Sequence, residues 1–269
     1  MKLPALILLS LLLVKRRPSG KRGTAGLDIA MQSNHECNSS LDRTGHDNEL
    51  GVLSPISQRG ELRTDGSGLR RVSTMPDDVD SFDACYLPNG KIMFGSTATF
   101  QSVPCWHGLK KVSNLYLMNA DGTSVRQVCF DQDHDFHSTV LPNGQVLYNR
   151  WDYTGINHIY LRELMLMNPD GTGQRAIYGS GSWYPNALYF PRPLPGDAGK
   201  IICILSGYHG PHRMGQLVIL DTAKGWQEAE GIVQRISGRG EPIKPIVKDN
   251  LVEGDWPKFL HPFPLRTRE

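Results

Sequence analysis

Two turn motifs recur in a fixed order along this chain, and their recurrence restricts its fold more than any other feature. Asp-Gly stands at Asp65-Gly66, Asp121-Gly122 and Asp170-Gly171, spaced 56 and 49 residues apart. Pro-Asn-Gly stands at Pro88-Asn89-Gly90 and Pro142-Asn143-Gly144, spaced 54 apart. Aspartate closes local hydrogen bonds in a turn, proline pre-sets φ, and glycine takes the left-handed position that other residues resist. Short runs of β-forming residues flank each motif. In Asn114–Tyr153 these runs are Asn114–Met118, Val125–Cys129, Ser138–Leu141 and Val146–Tyr148. They predict two hairpins that make one four-stranded unit. So small a sheet cannot bury its apolar face alone and needs copies stacked on it. A period of about 50 residues with four strands per unit predicts a β-propeller. About three to four four-stranded blades are visible, so the fold class is all-β and the propeller partial. Residues 61–224 are expected to be strand and turn, with no helix longer than two turns.

The rest of the chain sets the boundaries. Residues 1–25 open with one lysine and an apolar run, MKLPALILLSLLLV. That run is too short for a membrane span and suits the core of a signal peptide, or an N-terminal anchor with the basic flank that follows. The chain is therefore expected to be exported to the periplasm, or anchored on the outer face of the cytoplasmic membrane. Residues 26–60 are rich in Gly, Ser, Asn and Asp and read as a linker or degraded blade. Residues 61–269 form the partial propeller. Two further strands are expected at Ile201–Leu205 and Gln216–Leu220, a long connection after Gly225, and the start of another blade at the C-terminal FLHPFPLRTRE.

Composition excludes several functions. A net charge of +2 with dispersed basic residues argues against nucleic acid as a partner. The five cysteines, at 37, 85, 105, 129 and 203, form no C-x-x-C and no C-x-x-C-H. A zinc ribbon, a thioredoxin-type site and covalent haem attachment all lack their ligands. The thiols are expected in the core, with room for one disulfide if the protein is exported. No P-loop or dinucleotide fingerprint is present, and Gly179-Ser180-Gly181-Ser182 lacks the G-x-S-x-G spacing of a nucleophile elbow.

Two polar clusters remain. Asp131, Asp133, His134, Asp135 and His137 crowd one connection. Carboxylates and imidazoles together can ligate a metal, and they can equally hydrogen-bond the backbone of a turn. His209 and His212 share a Gly- and Pro-rich loop with Arg213, where they can bind a metal or an anion or simply pack. The metal candidates are thus His134, His137, His209 and His212. His35, Cys37 and His46 have weaker spacing and read as solvated polar residues. Trp151, Tyr153, Trp183 and Tyr184 are expected between blades, with a carbohydrate platform as their other use.

The segments DVDSFDACYLPNGKIMFGST, FDQDHDFHSTVLPNGQVLYNRWDYT, LMLMNPDGTGQRAIYGSGSWYPNALYFPRPLPG and SGYHGPHRMGQLVILDTAKG resemble the propeller in the middle of the hydrazine synthase alpha subunit and its bacterial relatives. The resemblance covers roughly residues 65–265, and the Asp-Gly repeat is more distantly similar to TolB-type blades. It implies an exported propeller, sometimes joined to cytochrome c modules. In hydrazine synthase the alpha subunit works with partner subunits on nitric oxide and ammonia, using haem. This chain departs from that pattern in having no haem-attachment motif and fewer blades. The resemblance then implies a non-catalytic scaffold or binding module completed by a protein partner or additional blades. Its alternatives are the propeller of a redox enzyme whose haem comes from another domain or chain, and a TolB-like protein-docking propeller. The purified chain is expected to carry no covalent haem, because Cys85, Cys105, Cys129 and Cys203 stand far apart. A c-type band in a pyridine haemochrome spectrum would contradict this.

Overall fold

In the computed structural model, residues 60–61, 70–72, 75–76, 78–103, 111–152, 162–181, 183–184, 187–207, 213–236 and 238–265 are described. The predicted signal peptide, the 26–59 stretch, and His35, Cys37, His46, Cys105, Tyr153, His209 and His212 lie outside them.

Turn chemistry builds the strands in pairs. β1 (Gly60–Glu61) pairs antiparallel with β2 (Arg70–Arg71), on either side of Asp65-Gly66 in the sequence. β3 (Ser81–Tyr86) and β4 (Ile92–Ser96) flank Pro88-Asn89-Gly90, and β5 (Asn114–Met118) and β6 (Arg126–Gln127) flank Asp121-Gly122. Pairing of β4 with β5, from Ile92↔Met118 to Ser96↔Asn114, joins these four strands into the first blade. β7 (Asp135–Val140), β8 (Val146–Trp151), β9 (Arg162–Met167) and β10 (Arg175–Tyr178) repeat the plan around Pro142-Asn143-Gly144 and Asp170-Gly171. β11 (Ala187–Leu194), β12 (Asp197–Ser206), β13 (Gln216–Asp221) and β14 (Ile232–Arg235) form the third blade, its first turn shortened around Pro195-Gly196. The chain is an all-β propeller with three blades and a leading strand pair among the described residues, which contain no helix.

The turns are superimposable in their bonding. Leu87 and Leu141 donate their N–H groups to the carbonyls of Lys91 and Gln145, both at 2.8 Å. Gly90 (φ 79) and Gly144 (φ 84) occupy the same left-handed position. In the second turn type the Asp121 and Asp170 carboxylates accept from the Thr123 and Thr172 N–H groups at 2.9 and 3.0 Å.

Four expectations are corrected. The unit Asn114–Tyr153 is divided between two blades, because β5–β6 pairs with β3–β4 rather than with β7–β8. Both hairpins repeat with one period, so local signals do not set the phase; the long-range β4–β5 register does. Asp135 and His137 lie within β7, which begins three residues earlier than its β-forming run. The connection expected after Gly225 contains β14, whose polar IVQR hides its strand character. Among the described residues the C-terminal segment starts no new blade: Phe259 exchanges backbone hydrogen bonds with Gly215 at 2.8 and 3.1 Å.

Each blade buries both faces, which explains why its middle strands, such as NLYLM, RELMLM and QLVILD, read as apolar runs rather than alternating ones. Met93, Leu115, Leu117 and Val128 of the first blade meet Val146, Tyr148, Met165 and Met167 of the second. The opposite face of that second blade, Leu147, Leu164 and Leu166, meets Leu188, Ile201, Cys203 and Val218 of the third. Ile92, Phe94, Tyr116 and Met118 are covered by Val72, next to β2. Ile202, Ile204, Leu217 and Ile219 join a cluster on which Phe259 and Leu260 of the C-terminal segment pack. Trp151 and Tyr184 are buried as expected, whereas Trp183 is 43% exposed. Cys85, Cys129 and Cys203 are free thiols, and Cys129 and Cys203 are buried.

These contacts separate two glycine substitutions. At Gly144 an added Cβ meets only Pro88 Cγ at 3.7 Å, so Gly144→Ala is expected to cost about 1 kcal/mol, from backbone strain. At Gly171 (φ +89) the Cβ would fall 2.7 Å from Val128 Cβ, between blades. Gly171→Ala is expected to cost about 2–3 kcal/mol. Urea unfolding midpoints check the order; equal shifts would refute it.

Candidate functional site on the inner strands

The first strands of the three blades lie side by side and break their pairing at equivalent places. Register shifts fall between Phe82 and Cys85 in β3, Phe136 and Thr139 in β7, and Tyr189 and Arg192 in β11. Just after the first of each pair stands a non-glycine residue with left-handed backbone: Asp83 (φ 49), His137 (φ 54) and Phe190 (φ 51). Each stands five residues ahead of its turn proline. Such a conformation costs about 1–2 kcal/mol for an L-residue, and it persists only where the surroundings over-determine it. A bulge re-aims a side chain, and here it does so three times in succession.

The re-aimed groups meet one another. The His137 N–H donates to Asp83 Oδ2 at 3.3 Å, and His137 Nε2 lies 3.8 Å from the same oxygen. The Phe190 N–H donates to His137 Nδ1 at 3.5 Å, which places the imidazole proton on Nε2, facing Asp83. The Phe190 ring sits between two imidazoles, 4.0 Å from His137 and 4.0 Å from His261. Arg192 donates to Thr139 Oγ1 at 3.1 Å, and Ser138 Oγ to the Asp83 carbonyl at 3.2 Å. Burial pushes the His137 pKa down to about 4, against the opposing charge of Asp83. Burial also lowers that of His261, with Asp83 opposing and Arg192 adding to it. One carboxylate, two neutral imidazoles and one guanidinium thus converge on three inner strands.

Beneath them lies an aromatic layer of Phe136, Trp151 and Tyr189. Arg162 lies 4.8 Å above the Trp151 ring, and Arg213 lies 4.8 and 4.9 Å from the Phe136 and Tyr189 rings. Burial pushes the Arg213 pKa down to about 9.

The aspartate–histidine cluster is distributed rather than convergent. His134 Nδ1 accepts from the Ser113 N–H at 3.0 Å, and its ring stacks on Trp151 at 5.5 Å. Burial, with the Arg162 charge, pushes its pKa down to about 3. The buried Asp135 accepts from Arg150 Nε at 3.0 Å, and Arg150 also holds Asp131. Burial raises the Asp135 pKa, with Arg150 opposing and Asp131 reinforcing it. The Asp133 carbonyl accepts from Asn114 Nδ2 at 2.9 Å. His134 and His137 therefore face separate partner sets, and no group of three or more metal-ligating side chains forms among the described residues. Asp83, Arg192 and His261 were not predicted as site residues; the common offset from the turn proline finds Asp83, beside His137 and Phe190, and no local signal marks Arg192 or His261.

No family model matches the chain, and no curated protein matches it. Among solved structures it is similar to hydrazine synthase of Kuenenia stuttgartiensis, with a TM-score of 0.56 and 16% identity, covering 70% of this chain and 30% of that one. It is also similar to a TolB of Agrobacterium tumefaciens, with a TM-score of 0.46 and 16% identity, covering 65% and 56% of the two chains. The chain spans less than a third of the hydrazine synthase chain, and at this identity the likeness shows the fold alone.

Glu163 generates the pH prediction. It is buried on β9, and burial, reinforced by the Asp152 carboxylate, pushes its pKa up to about 7 from 4.5. A raised carboxyl pKa contributes stability below the unfolded value, and that stability is lost as pH rises through the folded value. Glu163→Gln should therefore gain in melting temperature relative to the parent by several degrees, at most about 3 kcal/mol, between pH 4.5 and pH 8. A difference independent of pH would contradict this.

Proposed function

We propose that this chain is an exported, non-catalytic propeller module, a scaffold or binding unit of the kind suggested by its resemblance to the middle domain of the hydrazine synthase alpha subunit. One observation carries this reading: the most reactive side chains of the inner strands join one blade to the next. His137 is bonded to both Asp83 of the first blade and Phe190 of the third. His134 of the inter-blade connection is bonded to Ser113, beside β5 of the first blade. Groups fixed in this way hold strands together, and their ring Nδ1 lone pairs are engaged by backbone N–H groups. Any haem-dependent redox chemistry would take its haem from another domain or chain. Export rests on the N-terminal apolar run.

The docking surface in this proposal is the C-terminal segment. Ile246, Val247, Trp256, Phe263 and Leu265 expose large apolar side chains there, Trp256 to 81%. A protein partner or further blades would cover them. In light scattering the purified chain should run above its 30.0 kDa monomer mass, and Trp256→Ser with Phe263→Ser should return it to monomer. A monomeric parent melting in one sharp transition would overturn the docking reading. Alkaline phosphatase fused after residue 60 should be active in a bacterial host; inactivity would overturn export.

A further inference from the structure

A second cleft lies away from the inner strands, on the outer rim between the second and third blades. Its volume is about 520 Å³, within the range of small-molecule sites. β10 and the turn after it form one wall with Tyr178 and Ser180, and the β13–β14 connection forms the other with Lys224, Trp226, Gln227 and Glu230. We propose that this cleft binds a saccharide, with the Trp226 indole as the stacking platform.

The walls are held to one another. The Gly179 N–H donates to the Trp226 carbonyl at 2.8 Å, joining the second blade to the third. The Tyr178 hydroxyl donates to the Glu228 carbonyl at 2.7 Å and accepts from the Gly231 N–H at 3.2 Å. At Gly231 a Cβ would fall 2.4 Å from the Tyr178 ring, so only glycine lets the connection come this close. The cleft therefore exists before any ligand arrives.

The platform is fixed as well. Trp226 Nε1 donates to the Thr222 carbonyl at 2.8 Å, yet the residue is 72% exposed. Its single donor is engaged, so what it offers a ligand is ring surface. An apolar ring fixed in water beside polar side chains suits a ligand with one C–H face and many hydroxyls. A pyranose has both. Gln227 donates and accepts, Lys224 donates, and Glu230 and the Ser180 oxygen, whose hydroxyl proton bonds Glu163, accept, which matches hydroxyls in either sense. One cation and one anion leave the lining balanced, which disfavours a strongly charged ligand.

Cellohexaose, maltohexaose and chitohexaose, titrated into the full chain by calorimetry with tryptophan fluorescence read in parallel, test the assignment. At least one should bind with a dissociation constant of about 1 mM or tighter and change the indole emission. Trp226→Ala should weaken that binding at least about tenfold with an unchanged melt. Lys224→Met, at an exposed side chain, should weaken it severalfold and covers the case in which Trp226→Ala fails to fold. Phe130→Ala, which removes an aromatic ring 75% exposed outside the cleft, should leave binding intact. Absence of binding by all three sugars, or equal loss in Phe130→Ala, would overturn the proposal.

Discussion

Burial of both faces of every blade is the constraint on which the remaining structure depends. A four-stranded sheet with apolar side chains on both sides has no soluble form by itself. Each fully buried Leu or Met contributes about 1.5–3 kcal/mol, and the cluster between the first and second blades holds ten buried residues. That gain exceeds any single hydrogen bond in the molecule, each worth about 1 kcal/mol net. Stacking therefore decides where the chain goes, and the polar contacts decide how the stacked blades register. Gln174 illustrates the second role: its amide crosses to the Val128 carbonyl at 2.8 Å, beside the glycine that lets the two blades touch.

Stacking wedges edge to edge crowds the first strands most, and the inner bulges sit at that crowding. The residue before each bulge is aromatic: Phe82, Phe136 and Tyr189 all join one core cluster. With that ring committed to the core, a regular strand would send the next side chain to the opposite face. The left-handed residue turns it toward the neighbouring first strand instead, where Asp83, His137 and Phe190 find one another. Strain at three positions is thus compensated by ring contacts and hydrogen bonds between blades. Arg150 ties the second blade to the connection before it, with its guanidinium between Asp131 and Asp135. Replacing one member of such a set leaves the others buried without a counterpart, so these groups are more costly to mutate than their individual bonds suggest.

The turns made the fold legible, while the site was readable only in part. Asp-Gly and Pro-Asn-Gly are local instructions, and at residues 88–90, 121–122, 142–144 and 170–171 the structure bears them out to the hydrogen bond, while Asp65-Gly66 lies outside the described residues. The phase of the repeat was not legible, because either hairpin can lead a four-stranded unit; only pairing across the 97–113 connection chooses. β14 was not legible because IVQR is an outermost strand that exposes both Val233 and Gln234, so burial imposes no pattern on it. His134 and His137 stood out by composition, but the groups around His137 come from residues 83, 190, 192 and 261, which no local window joins. What the sequence did hold was a constant offset from proline in three unlike tetrapeptides, SFDA, DFHS and LYFP, with an aromatic residue always second.

The inner-strand cluster and the rim cleft differ in what they require of the rest of the ring. Asp83, Arg192 and His261 are partly exposed. A partner that covered them would change their solvation, and with it the ionisation of His261, whose pKa is already lowered by burial. The cleft around Trp226 is complete within two adjacent blades, because its walls are β10 and the β13–β14 connection. Yet one of those walls stands in the last blade of the arc, and Tyr178 and Val252 share one buried cluster, on which Ile243 and Leu251 of the C-terminal segment pack. A partner seated on the C-terminal segment is therefore expected to act on both places, through His261 against Phe190 and through the cluster that holds Tyr178.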